Sequence, residues 1–109
     1  MDLDRFYADL IELYENAGQK TELLEKNAKI GFQGMSELLE KLTAVLPDWF
    51  FFIEQTDIGS KGQVLQILQD MEKAIDAEDR VLLADTLLYG LREVAGEYIG
   101  IIEEALYGT

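Results

Sequence analysis

Histidine and cysteine are both missing from the 109 residues, so the commonest general base, the commonest metal ligand and every thiol reaction are missing with them. Zinc and haem sites of ordinary kinds need those ligands. A helical bundle that holds two metal ions between carboxylates would also use Glu-x-x-His pairs, and it has none to offer. Acidic side chains are plentiful: Glu12 with Glu15, Glu37 with Glu40, and Asp76 with Glu78 and Asp79 are the tightest groupings. None has the ligand spacing of a calcium loop, and each falls where a solvated helix face or helix end is expected. Two glycine pairs resemble phosphate loops only superficially. Gly31-Phe32-Gln33-Gly34 lies in a helical pattern and lacks a following Lys-Ser/Thr. Gly59-Ser60-Lys61-Gly62 reads as a loop followed by a helix cap, with an anion site on its free amides as the sharper alternative. The expectation is a protein that is not an enzyme and carries no cofactor or metal.

Two groups of residues remain as candidate sites. Trp49-Phe50-Phe51-Phe52-Ile53 is the longest uninterrupted apolar run. Consecutive positions on a helix point about 100° apart, so five in a row cannot all face one core. At least one aromatic should therefore look outward, as in a protein interface, unless the run plugs the end of a bundle on several sides. The second group is Asp85 with Tyr89 one turn later and Arg92 seven residues on. Asp85 is expected at the edge of an apolar face, partly buried and hydrogen-bonded, with a structural or a binding role.

The elements that must position these residues read as helices throughout, because apolar residues recur at intervals of three and four and strand alternation is never sustained. Leu3, Phe6, Leu10, Leu13 and Ala17 predict a first helix over residues 2 to 17, capped by Asp2 and ended by Gly18. The second segment is the longest, with Ala28, Gly31, Met35, Leu38, Leu42, Val45, Trp49 and Phe52 in phase. That phase survives Pro47, which predicts a kink there or a stop followed by a separate helix over 48 to 56. Thr56, Asp57, Gly59 and Ser60 mark a loop, with Ser60 capping a third helix that carries Val64, Leu65, Ile67, Leu68, Met71 and Ile75 and ends near Asp76. In the last helix Val81, Ala84, Leu88, Leu91, Ala95, Tyr98, Ile102 and Ala105 alternate by three and four, with Leu87, Val94 and Ile101 as a second row. A face that wide needs two neighbours. The fold class expected is all-α, an up-down four-helix bundle in one domain, its second helix long and kinked or broken near Pro47.

A hydrophobic content of 49% against 28% charged residues is enough for a core. The formal net charge of −13 is spread along the chain, with 11 acids against 5 bases before Asp57 and 11 against 4 from there on. It disfavours nucleic acid and anionic membrane surfaces as partners, and serves solubility or attraction to a basic protein. No apolar run approaches the ~20 residues that span a bilayer. Residues 1 to 20 lack the basic start and apolar stretch of a secretion signal, which makes cytoplasm the expected compartment.

The stretch from Asp79 to Leu91, Asp-Arg-Val-Leu-Leu-Ala-Asp-Thr-Leu-Leu-Tyr-Gly-Leu, resembles a pattern in small, uncharacterised all-helical proteins of Gram-positive bacteria. Asp79, Asp85 and Tyr89 carry the resemblance, and Gly90 departs from it where an acidic residue is more usual. It implies a bacterial, cytoplasmic domain and supplies no catalytic residue. The function expected from all of this is a protein-interaction or adaptor module that holds a protein partner or a second copy of itself. The alternatives are a small-ligand carrier and a helical chaperone of the secretion or flagellar type.

Overall fold

A computed structural model describes residues 1–108. Helix α1 (Leu3–Lys26) is antiparallel to α3 (Met35–Thr56), with the six-residue α2 (Ala28–Gln33) between them. Helix α4 (Lys61–Asp76) returns along α3. The last helix begins as α5 (Arg80–Asp85), widens into a π-helical segment (Thr86–Arg92) and ends as α6 (Glu93–Tyr107). Four long rods therefore run up, down, up and down around one core. At 1.5 Å per residue α1 and α3 reach about 36 and 33 Å, close to the 41 Å long axis of the molecule.

Helix α1 starts as the sequence predicts, Asp2 accepting the Arg5 amide at 3.2 Å. It does not end at Gly18. The apolar stripe of Phe6, Leu10, Leu13 and Ala17 continues in phase through the buried Thr21 and Leu24, and burial of those side chains outweighs the roughly 1 kcal/mol that a mid-helix glycine costs. The Thr21 hydroxyl is satisfied within the helix by the Ala17 carbonyl, 2.8 Å away. Gly18 lies against the Arg92 side chain, where a Cβ would make an ordinary contact 3.4 Å from Nε. The chain turns instead at Asn27, extended at φ −154°, whose side chain accepts the Ile30 amide and caps α2.

The long second segment is divided, and the division falls at Gly34 rather than at Pro47. Gly31 presses on Leu24, where a Cβ would stand 2.8 Å from the Leu24 Cα. That close approach folds α2 back onto α1 and forces the bend before α3. Pro47 is carried inside α3 as a kink without a stop, and the buried stripe of Met35, Leu38, Leu42, Val45, Trp49 and Phe52 passes through it unbroken. Asp57, left-handed at φ 56°, closes α3, and Ser60 caps α4 through the Gln63 amide.

The last helix departs from its expected phase. Val81 is 63% exposed, Leu88 is half-buried and Ala105 is exposed, whereas Leu83, Leu87 and Leu91 are fully buried. An uninterrupted α-helix would carry Ala84 and Leu88 toward the core together with Leu91, Ala95, Tyr98 and Ile102. The i→i+5 turns of the π segment advance less than the 100° per residue of an α-helix. They rotate the first two turns so that Leu83 and Leu87 fill those places. On α4 the same sorting buries Val64, Ile67 and Met71 and leaves Leu65 41% exposed.

Leu91→Ala should cost about 2 to 5 kcal/mol in urea unfolding, and Leu88→Ala less than half as much. Equal losses at the two positions would contradict the rotation described for the π segment.

Candidate functional site

The structure sorts the aromatic run residue by residue. Trp49 is fully buried, Phe52 and Ile53 are 6% exposed, Phe50 is half-buried and Phe51 is 43% exposed. Trp49, Phe52 and Tyr98 meet edge to face, with ring centroids 5.4 and 5.9 Å apart, and Phe6 joins Phe52 at 5.6 Å. Four aromatic rings thus close one end of the core. Phe51 alone of the run faces solvent broadly.

Tyr98 ties this cluster to the α3–α4 loop, because its hydroxyl donates to the Ile58 carbonyl at 3.1 Å. A Cβ at Gly59, where φ is +82°, would fall 1.7 Å from that hydroxyl, so the position requires glycine twice over. Burial pushes the Tyr98 phenol above its ordinary value near 10, while the Trp49 indole and the backbone at Ser60 pull the other way. The indole N–H approaches that oxygen without completing a hydrogen bond.

Asp85 is not partly buried and hydrogen-bonded beside Tyr89, as the sequence predicts. Both are exposed, Tyr89 by 67%, and Asp85 accepts no hydrogen bond within the described residues. The rotation through the π segment turns Asp85 outward, and Tyr89 lies on the side opposite the core in either phase. Arg92, seven residues on from Asp85, goes inward instead: its guanidinium lies 4.5 Å over the Tyr14 ring, against Gly18, and its Nε is buried without a partner.

Arg92 sits in a groove that the sequence did not reveal. Three hollows of ≈ 370, 440 and 210 Å³ follow the seam between α1 and the last helix. The first two share Tyr14 and Glu15, and the last two share Glu25, so they lie in a row beside residues 7 to 25 of α1, about 27 Å of helix, with Arg92 over Tyr14 where the first two meet. Its floor is apolar, with Tyr7, Ile11, Leu88 and Ile99 half-buried. The rim carries Glu15, Glu22, Glu25, Asp85 and Glu103 against Arg80 and Arg92. Among the described residues none of these seven makes an ion pair. At the upper mouth, packing against neighbouring groups pushes the Tyr7 phenol above its ordinary value, and the Glu103 carboxylate and Tyr107 add to this.

The opposite seam, between α1 and α3, is built differently. Lys41 bonds Glu12 across it, and Lys20 lies 3.5 Å from Glu37. The Glu12 partner holds the Lys41 ammonium above its ordinary range. One flank of α1 is thus bridged by two ion pairs, and among the described residues the carboxylates of the other make none.

Among the described residues no group of histidine, cysteine and acidic side chains is arranged to hold a metal ion. No helix there is long and apolar enough to cross a membrane. Comparison with protein-family models, curated proteins and solved structures finds no match.

Two measurements check this geometry. Phe51→Asp should alter stability by no more than about 0.5 kcal/mol, whereas Trp49→Ala should cost about 3 to 5 kcal/mol; comparable losses at both would place Phe51 in the core. Tyr98, Tyr7 and Lys41 all hold their protons more tightly when folded, so their contribution is complete below about pH 10 and is lost as pH rises further. Tyr98→Phe should remove part of that alkaline loss while costing about 1 kcal/mol at neutral pH for the missing hydrogen bond. An unchanged alkaline profile in the variant would contradict the burial assigned to Tyr98.

Proposed function

We propose that this chain is a non-catalytic interaction module that binds another protein along the seam of α1 and the last helix. The observation that carries the proposal is the contrast between the two flanks of α1. A bundle seam needs its apolar floor covered and its rim charges matched. The α1–α3 seam is bridged by Lys20 beside Glu37 and Lys41 on Glu12, with a smaller hollow of ≈ 220 Å³ at Arg5, Asp9 and Asp48, while the other seam leaves its floor half-open and none of its five rim acids in an ion pair. Surface apolar residues at either mouth extend the same face, Tyr107 65% and Val81 63% exposed. Recognition of this kind works through side chains on rigid rods, and the π segment is an irregularity of the sort often retained at functional sites.

Phe51 offers a second contact point on α3, suited to a second copy of the chain. A net charge of −13 opposes self-association, which leaves a different protein as the favoured partner.

The test is the mass of the protein isolated gently from its native cells, measured by light scattering beside the purified chain. The expected outcome is a complex of fixed stoichiometry with a second protein, and a lone monomer from native cells as well as from purified stock would contradict it.

A further inference from the structure

From the charge and shape of the groove we infer its occupant: an amphipathic α-helix of a partner protein, with lysine or arginine on both sides of an apolar stripe. The inference rests on the interaction-module reading and adds the partner's chemistry to it.

Three features of the groove lead to a helix of that kind. Its length, about 27 Å, matches some 18 residues of α-helix at 1.5 Å per residue. Its floor offers half-buried Tyr7, Ile11 and Ile99 in the upper hollow and Leu88 in the next, separate apolar seats for the side chains that a docked helix spaces by i, i+3, i+4 and i+7. Its rim holds five exposed carboxylates on both walls, Glu15, Glu22 and Glu25 from α1 and Asp85 and Glu103 from the last helix. Opposed to them are Arg80 at the lower mouth and Arg92, whose guanidinium face is occupied by Tyr14. An acidic or neutral helix would leave those carboxylates unmatched and its own charges repelled, whereas basic side chains flanking an apolar stripe match floor and rim together. The same argument excludes a second copy of this chain, which has 22 acids and 9 bases and whose exposed helix faces are acidic.

The π segment contributes to the opening. By turning Leu87 into the core it leaves Leu88 half-buried on the groove floor and carries Arg92 onto Tyr14, with Gly18 and Gly96 making room on the two walls. A Cβ at Gly96 would stand 3.3 Å from the Tyr14 ring. Gly96 thus keeps its wall at a spacing that a larger side chain would disturb, while Gly18 leaves room for the Arg92 side chain.

The experiment titrates the intact protein with a fluorescent 18-residue Leu/Lys helix patterned at i, i+3, i+4 and i+7, following both anisotropy and backbone amide shifts. Two further probes are a Leu/Glu peptide of the same pattern and a scrambled Leu/Lys peptide with no stripe. The expected result is saturable binding of the patterned basic helix alone, shifts along Tyr7, Tyr14, Leu88 and Ile99, and weakening between 0.1 and 1 M salt as screening shortens. Glu15→Lys with Glu22→Lys should weaken it at least tenfold. Glu40→Lys with Glu72→Lys, which changes net charge equally away from the groove, should weaken it less than threefold. Equal binding of the scrambled peptide, equal loss in the two reversed variants, or shifts confined to other faces would overturn the inference as diffuse charge attraction. A native complex that survives Glu15→Lys with Glu22→Lys would overturn it too, yet leave the interaction module standing. Absence of both the native complex and peptide binding would remove both readings.

Discussion

The last helix has to serve two neighbours at once, and its rotation about its own axis decides what each of them meets. Leu83, Leu87 and Leu91 go fully into the core above the π segment's end, and Ala95, Tyr98 and Ile102 do so below it. A continuous α-helix cannot point the first two of these and the last three in one direction without also burying Ala84 and Leu88. One surplus residue taken up by wider turns resolves the conflict. The position of α4 follows, since Ile67 packs beside Gly90 and Thr86, and so does the latch of Tyr98 on the loop that leads into α4. The exposure of Asp85 is the outward face of the same rotation.

Helix α1 carries that choice to the surface. Its buried stripe from Phe6 to Leu24 faces the core, which leaves one flank toward α3 and one toward the last helix. Lysines reach across the first flank and close it with ion pairs. Exposed pairs of this kind contribute only about 0 to 1 kcal/mol each, so their value lies in settling which acids are matched. Across the second flank Arg92 is drawn down onto Tyr14, Arg80 lines the hollow beside Glu25 without pairing, and Glu15, Glu22 and Glu25 make no ion pair among the described residues. Stability therefore comes from the aliphatic and aromatic interior, and the acids of the second flank are left without ion pairs among the described residues.

The sequence made the rods legible because periodic apolar residues, Asp2, Ser60 and the Thr56–Ser60 loop are local signals with local causes. The mistaken boundaries lie at Gly18 and within residues 28 to 53. Gly18 predicts a helix end from its backbone freedom, yet α1 runs through it, and Gly31 lies in phase with its stripe, yet its close approach to Leu24 on α1 turns the chain, a contact between separate helices. The outward-looking aromatic was foreseeable from a 100° helical step, but only packing could select Phe51 over its neighbours. Asp85 was misplaced because periodicity assumes one constant turn. The groove was hidden for a further reason: it joins carboxylates from opposite ends of the chain, and no spacing along one helix reports which residues of another lie beside it. The run of leucines spaced by four at 83, 87 and 91 was the one available hint of a wider turn.

The most direct test of that central rotation is the deletion of Tyr89, an exposed residue inside the π segment, followed by circular dichroism and urea unfolding. Removing one residue elsewhere in a packed helix turns everything beyond it by about 100°, and deletion of the exposed Glu97 in α6 provides that comparison. If the π segment absorbs a single surplus residue, the Tyr89 deletion lets a regular α-helix carry Leu83, Leu87, Leu91, Tyr98 and Ile102 inward together. The expected result is a cooperative, fully helical protein that keeps most of its stability, beside a Glu97 deletion that loses its cooperative transition. Unfolding by both deletions alike would contradict it.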